Sequence, residues 1–119
     1  MGKLTTHVLD TARGKPAAGV RIMLYRVSGN SHKKIAETAT NADGRTDAPM
    51  LDGTRLAVGG YELVFCVGDY LRASGQVPGA GAVLFLEEIP IRFGVSDAEA
   101  HYHVPLLLSA HGYATYRGS

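Results

Sequence analysis

The chain has 119 residues, of which 45% are hydrophobic and 19% are charged, and 12 basic against 11 acidic residues give a formal net charge of +1. This length accommodates one hydrophobic core, so a single domain over residues 1–119 is expected. The near-balance of charge gives no electrostatic reason to expect nucleic acid or an anionic membrane as a partner.

Cysteine usage and hydropathy indicate a cellular location. Cys66 is the only cysteine, so no internal disulfide can form. Residues 1–20 lack the basic, apolar and small-residue regions of a signal peptide. No apolar run approaches the ~20 residues that a membrane-spanning helix requires. These features predict a soluble protein in the cytoplasm.

Alternating and β-branched residues predict four strands in the first half of the chain, at residues 4–10, 19–27, 35–40 and 54–56. In the first strand, Thr5, His7 and Leu9 share one face. A polar turn is predicted at residues 28–34. A tight turn is predicted at residues 41–44, because Asp-Gly readily adopts a positive φ, and Arg45 follows it directly.

The second half of the chain continues the pattern with strands at residues 60–67, 89–95, 101–109 and 113–116. A single short helix is predicted at residues 70–74, with Gly68-Asp69 as its cap. About eight short strands separated by turn residues are typical of an all-β sandwich. The order of the strands within each sheet is not readable from the pattern.

Histidines are the clearest candidates for chemistry. His101 and His103 project to the same face of one strand, as a zinc-ligand pair or an acid–base group would, but also as two surface histidines would. His7 stands in mid-strand where Val or Thr is more usual. Arg45, beside a turn, is either a solvated charge or a fixed fork of donors for a carbonyl or carboxylate. The residues alone leave these alternatives open.

Several other catalytic classes lack their signatures. The chain contains no Gly-x-Ser-x-Gly elbow, no Gly-x-Gly-x-x-Gly fingerprint and no P-loop. Cys66 lies within the most regular predicted strand, which favours a place in the core over a role as nucleophile.

Three segments are informative together: LTTHVLD at residues 4–10, DGR at 43–45, and HVPLL at 103–107 leading to YRGS at 116–119. In combination they resemble the transthyretin-related 5-hydroxyisourate hydrolase family. IPIRF at residues 89–93 is similar to the strand that precedes them in the family, whereas residues 83–88 and 109–111 depart from its usual sequence. The YRGS ending is the most specific piece, since the transthyretin hormone carriers share the fold but lack it.

The resemblance implies a transthyretin-like β-sandwich of two four-stranded sheets with one short helix, assembled as a homotetramer with active sites between dimers. It implies hydrolysis of 5-hydroxyisourate, a purine-derived small molecule, to 2-oxo-4-hydroxy-4-carboxy-5-ureidoimidazoline in urate degradation, with no cofactor and no metal. The implied catalytic residues are His7, Arg45, His103 and Ser119, and the implied substrate-binding residues are His7, Arg45, Tyr116 and Arg117.

The two histidines have complementary roles in the mechanism that the resemblance suggests. One of His7 and His103 is the general base for the attacking water, with some preference for His7, and the other orients that water or protonates the departing nitrogen. Arg45 holds the urate-like ring and stabilises the oxyanion. The alternative is a transthyretin-like binding protein that carries a small ligand in the same place without catalysis.

Overall fold

Nine strands and one α-helix make up the regular structure of residues 1–118, the part of the chain that this computed structural model describes. Helix α1 spans Gly68–Ala73 and a 3-10 helix spans Gly53–Arg55. The predicted all-β class is therefore confirmed. The strands are β1 (Lys3–Asp10), β2 (Lys15–Pro16), β3 (Arg21–Ser28), β4 (Ser31–Ala39), β5 (Leu51–Asp52), β6 (Gly59–Cys66), β7 (Glu88–Val95), β8 (His101–Ser109) and β9 (Gly112–Thr115).

The strands form two sheets. One is an antiparallel sheet of four strands in the order β4-β3-β6-β7. The other has the order β2-β1-β8-β9, and β5 also pairs with β1. This second sheet has five strands where the sequence predicts four, because the two-residue strands β2 and β5 pair with opposite ends of β1. Strands β1 and β8 run parallel along their whole shared length.

The core lies between the inner faces of the two sheets. Alternation along β1 buries Leu4 and Val8 completely and leaves His7 half-buried on the outer face. Strand β8 follows the same rule, with Val104 inward and His103 outward. The fully buried side chains include Leu4, Val8, Ile22, Leu24, Tyr61, Leu63, Phe65, Ile89, Leu106 and Leu108. The same alternation that builds the core therefore directs both histidines away from it.

Two sequence predictions of local structure are wrong. Residues 54–56 belong not to a strand but largely to the 3-10 helix Gly53–Arg55, which follows the short strand β5. The polar turn predicted at residues 28–34 is only two residues long. Gly29 takes the positive φ (58°) that two-residue hairpin loops favour at their first position, so the polar residues from Ser31 onward pair with β3.

Cys66 and the helix also differ from expectation. The alternation that buries Phe65 turns Cys66 to the outer face of the four-stranded sheet, where it is half-buried near Glu88 and burial raises the pKa of its thiol. Helix α1 begins at Gly68 without a side-chain cap, so the predicted Gly68-Asp69 cap is absent. No helix within residues 1–118 is long and apolar enough to cross a membrane.

Candidate active site

His7 and His103 lie close together because β1 and β8 pair in parallel. The register sets Thr5 opposite His103 and His7 opposite Pro105. His7 therefore lies two residues after Thr5, the residue that pairs with His103, and on the same face of the sheet. From ordinary strand rise and spacing, the two histidine Cα atoms are about 8 Å apart. No spacing rule within the sequence links these two residues, since only the strand pairing brings them together.

The turn at residues 41–45 brings Arg45 to the edge of β1. The Asn41 side-chain Oδ1 accepts hydrogen bonds from the backbone N–H groups of Asp43 (2.9 Å) and Arg45 (3.2 Å). Gly44 has φ 73°, as predicted, and its carbonyl oxygen accepts the Val8 N–H at 2.8 Å. A Cβ at position 44 would lie 2.4 Å from the Val8 carbonyl oxygen, so glycine is required there.

Arg45 and His7 are direct neighbours across this contact. They form an isolated antiparallel bridge, on the edge of β1 that also carries β2 and β5. Arg45 is exposed, whereas the His7 side chain is half-buried. The turn thus places Arg45 opposite the first histidine in the strand register.

The C-terminal segment covers the opposite edge of the site. After β9 the chain leaves the sheet and returns at Gly118, whose N–H donates to the His103 carbonyl oxygen at 2.7 Å. The Arg117 guanidinium lies 4.1 Å from the centre of the Tyr102 ring and donates to the His101 carbonyl oxygen at 3.3 Å. These contacts anchor Arg117 to the protein, and its role in substrate binding stays a prediction.

Tyr102 is itself held firmly. Its hydroxyl oxygen accepts the backbone N–H groups of Ser96 and Asp97, each at 3.0 Å, and its ring is almost fully buried. The hydrogen bonds from Ser96 and Asp97 lower the pKa of the Tyr102 phenol. Arg117 therefore stacks on a fixed platform.

A surface cavity of about 720 Å³ lies among these elements. Its lining includes three basic residues, Lys3, Arg45 and Arg117, and one acidic residue, Asp47. Its local charge is thus more positive than the nearly neutral chain, and suits an electron-rich ligand. The lining residues are Lys3, Thr5, Thr6, Arg45, Thr46, Asp47, Ala48, Pro49, His103, Tyr116, Arg117 and Gly118.

The hydrogen bond of His7 defines its neutral tautomer. His7 Nε2 lies 2.9 Å from the Asp43 carbonyl oxygen. A carbonyl oxygen can only accept, so Nε2 carries the hydrogen and Nδ1 holds the lone pair in the neutral ring. His7 does not line the cavity itself but lies beside it, next to Arg45. Its Nδ1 is the nitrogen that can accept a proton.

His103 has a different environment. Its Nδ1 lies 2.8 Å from the Thr5 hydroxyl oxygen, which leaves Nε2 as the other ring nitrogen at the cavity. Burial, followed by the positive charge of Arg45 and the proximity of His7, lowers the pKa of His103 below its usual value of 6.5. His103 is therefore neutral at physiological pH.

The structure brings together most of the residues that the sequence singled out. His7, Arg45, His103, Tyr116 and Arg117 surround or adjoin one cavity, while Ser119 lies outside the described residues. Sequence reasoning missed Lys3, Thr5 and residues 46–49. Alternation along β1 was a usable signal for Lys3 and Thr5, since they share the His7 face, but residues 46–49 carry none.

The zinc alternative finds no support in the arrangement of side chains. Within residues 1–118, no group of three or more His, Cys, Asp or Glu side chains is placed to hold a metal ion. His101 is exposed two residues before His103 and does not line the cavity.

Known proteins resemble this chain over its whole length. It is 56% identical to 5-hydroxyisourate hydrolase 2 of Rhizobium meliloti (strain 1021), over 99% of this chain and 97% of the relative. The structure of Klebsiella pneumoniae 5-hydroxyisourate hydrolase is 34% identical, with a TM-score of 0.78 and full coverage of both chains. The crystal structure of (S)-allantoin synthase is 44% identical, with a TM-score of 0.90. The match covers 99% of this chain but only 44% of that longer chain.

The match to a family description covers nearly the entire fold. Residues 4–118 match the HIUase/Transthyretin family, a range that begins in β1 and ends at the Gly118 contact with His103. The Arg45 turn and the C-terminal segment, on opposite sides of the candidate site, thus both lie within the matched residues. This chain belongs to the HIUase/Transthyretin family.

Proposed function

We propose that this chain hydrolyses 5-hydroxyisourate, adding water across a ring amide to give 2-oxo-4-hydroxy-4-carboxy-5-ureidoimidazoline without a cofactor. The observation that carries the proposal is the convergence of Arg45, His103 and the C-terminal segment on one cationic cavity, with His7 beside it next to Arg45. A passive apolar carrier has no need of two histidines and an arginine in and beside its cavity. The 56% identical relative from Rhizobium meliloti, which bears the hydrolase name, supports the same reaction.

In the proposed mechanism, His7 is the general base. Its Nε2–H donates to the Asp43 carbonyl oxygen, and this bond orients the ring and leaves the Nδ1 lone pair to accept a proton from water. The hydroxide formed attacks the amide carbonyl carbon. The imidazolium then returns the proton to the amide nitrogen as the carbon–nitrogen bond breaks, the double role that histidine has in other acyl-transfer enzymes.

Arg45 and His103 act on the carbonyl side of the reaction. The Arg45 guanidinium offers several N–H donors beside His7, where negative charge develops on the attacked carbonyl oxygen. His103, neutral because of its lowered pKa, orients the water or the substrate through Nε2. Tyr116 lines the cavity and Ser119 follows Gly118 in the chain, and in the proposal both hydroxyl groups hydrogen-bond the substrate.

A coupled assay with freshly generated 5-hydroxyisourate tests the proposal. His7→Asn and His103→Asn should each lower the rate by about 10²–10⁴, the usual contribution of an acid–base group. His101→Asn is the matched control, because this histidine lies on the same strand but outside the cavity. Near-native rates in both site variants would reject the assignment. Ligand binding without turnover in the unaltered protein would favour the transthyretin-like carrier.

The pH dependence of the same assay follows from His103. Its neutral form is present above its pKa, which lies below 6.5, and is lost as the pH falls through that value. We therefore expect the part of the activity loss that comes from protonation of His103 to occur below pH 6.5.

The proposal includes a single domain over residues 1–119 that assembles as a homotetramer in the cytoplasm. In one chain, Arg45 and Tyr116 are exposed and the cavity is open to solvent, so an apposed protomer would supply the missing wall. Cys66 has no cysteine with which to pair within the chain, which is compatible with a reducing compartment. Cell fractionation of the tagged protein tests the location.

A further inference from the structure

The Thr5 side chain has a contact that the proposed reaction does not yet use. Thr5 pairs with His103 in the parallel register of β1 and β8, and its hydroxyl oxygen lies 2.8 Å from His103 Nδ1. Thr5 is half-buried and lines the same cavity as His103. A serine or threonine hydroxyl can either donate to a ring nitrogen or accept from it, so this pair is satisfied in either tautomer.

A second, independent contact restricts the same imidazole ring from its other side. Gly118 lies so close that a Cβ there would be 2.7 Å from His103 Cδ2 and 3.2 Å from Cγ. Cδ2 and Nδ1 are on opposite sides of the bond from Cβ to the ring. A half-turn of the ring would therefore place a carbon against the Thr5 hydroxyl and lose the hydrogen bond.

We propose that Thr5 is the positioning residue of His103, because its hydroxyl occupies Nδ1 and thereby makes Nε2 the nitrogen that faces the substrate. Thr5 touches no reacting atom in this role. It fixes the ring orientation of a group that does, as the hydrogen-bonded partner of a histidine ring nitrogen commonly does. The inference rests on the proposed hydrolase function for its kinetic consequence, but the Thr5–His103 pairing is measurable without turnover.

Thr5→Val is the informative substitution. Valine has nearly the shape of threonine and is equally suited to a strand, so only the hydroxyl is removed. Thr5→Ser restores the hydroxyl and should restore the function. Thr38→Val makes the same chemical change on β4 in the other sheet, at a residue that does not line the site cavity, and serves as the matched control.

Kinetics give the first readout. We expect Thr5→Val to lower kcat by about 10-fold to 100-fold with a smaller change in KM, because a misoriented catalytic group costs rate more than binding. Thr5→Ser and Thr38→Val should retain kcat within about 2-fold, since neither alters the bond to Nδ1. A folded Thr5→Val protein with native kcat would overturn the proposal, as would a Thr5→Ser protein as impaired as Thr5→Val.

Nitrogen-15 NMR of His103 gives a readout that is independent of activity. The signals of Nδ1 and Nε2 report which nitrogen carries the hydrogen, and the titration reports the pKa. In Thr5→Val we expect the tautomer ratio and the pKa of His103 to change, with both restored in Thr5→Ser. Unchanged His103 signals in Thr5→Val would overturn the positioning role. An inactive parent protein whose His103 signals respond to Thr5→Val would instead reject the hydrolase function alone.

Discussion

At the scale of single residues, the C-terminal segment packs closely on His103 and leaves no room for a side chain at position 118. Gly118 donates its N–H to the His103 carbonyl oxygen at 2.7 Å, and the space above its Cα is filled by the imidazole ring. The YRGS segment therefore needs glycine at this position for a steric reason. The glycine lets the chain return to β8 without displacing the ring that the proposed mechanism uses.

Gly118→Ala should impair catalysis without unfolding the protein. The added Cβ would lie 2.7 Å from His103 Cδ2, so either the ring or the segment must shift, and a displacement of about 1 Å can cost about 10²-fold in rate. We expect kcat for 5-hydroxyisourate to fall by about 10-fold to 100-fold. The thermal unfolding midpoint should stay close to that of the parent protein.

The control for this change is Gly112→Ala in β9. A Cβ at position 112 would meet only the Ser109 Oγ, at an ordinary distance of 3.7 Å. This variant should keep its activity. A Gly118→Ala protein as active as Gly112→Ala would show that the tight contact is not needed for catalysis.

At the scale of secondary structure, β1 connects the site to the rest of the fold. Its outer face carries Thr5 and His7, and its last residue, Asp10, is almost fully buried. Asp10 Oδ2 accepts hydrogen bonds from Tyr70 (2.6 Å) and Gln76 (2.9 Å), and Oδ1 accepts the Arg13 N–H at 3.0 Å. This network links the end of β1 to helix α1 and the residues after it.

The two acidic groups in this network have opposite pKa shifts. Burial acts to raise the pKa of Asp10, but the hydrogen bonds from Tyr70, Arg13 and Gln76 outweigh it and lower the pKa below 3.8. Burial and the bond to Asp10 raise the pKa of Tyr70 to about 12. Asp10 is therefore ionised, and Tyr70 is a neutral donor, throughout the physiological range of pH.

Asp10→Asn should destabilise the fold in a pH-dependent way. The amide turns one acceptor into a donor that faces other donors, at a cost of about 1–3 kcal/mol. Because the folded-state pKa is lowered, the carboxylate stabilises the protein above pH 3.8, and this contribution is lost as the pH falls through the folded pKa. The free energies of unfolding of the parent and the variant, measured in urea, should thus differ clearly at neutral pH and differ less at about pH 3.

Asp52→Asn is the control for Asp10→Asn, because Asp52 is exposed and makes no capping hydrogen bond. It should change the free energy of unfolding by less than about 0.5 kcal/mol. If the difference between the parent and Asp10→Asn stayed constant from neutral to acidic pH, the ionised carboxylate would not be its source.

Alternation along single strands made the strand faces predictable, and with them the outward directions of His7 and His103. Their proximity was not predictable in this way, because it depends on the parallel pairing of β1 with β8, strands from opposite ends of the chain. The burial of Asp10 was missed for a related reason. A carboxylate before a loop reads as solvated, and its partners Tyr70 and Gln76 come from a distant segment. Family resemblance supplied the grouping that local pattern could not.

At the scale of the whole molecule, the site occupies an outer face and not an interior. The chain measures 41 × 30 × 20 Å, and the cavity between the 41–49 segment and the C-terminal segment opens to solvent. Two large apolar side chains elsewhere are also strongly exposed: Val83 (99%) and Phe85 (74%), in the segment before β7. Contiguous exposed apolar patches mark association surfaces, and we propose these two side chains as part of such a patch. Both features suit the proposed homotetramer.

Phe85→Ser should therefore weaken self-association. The Phe85 ring lies beside His111 in the β8–β9 turn, with 6.0 Å between ring centres, and it remains largely exposed. We expect light scattering after size exclusion to give four times the 12.6 kDa chain mass for the parent protein and a smaller mass for Phe85→Ser at equal concentration. Hydrolysis of 5-hydroxyisourate should fall with the assembly, because the open cavity loses its second wall. Val58→Ser removes another exposed apolar side chain, just before β6 and outside the 83–88 segment, and should leave the mass unchanged. A Phe85→Ser protein with the parent mass and activity would place the association surface elsewhere.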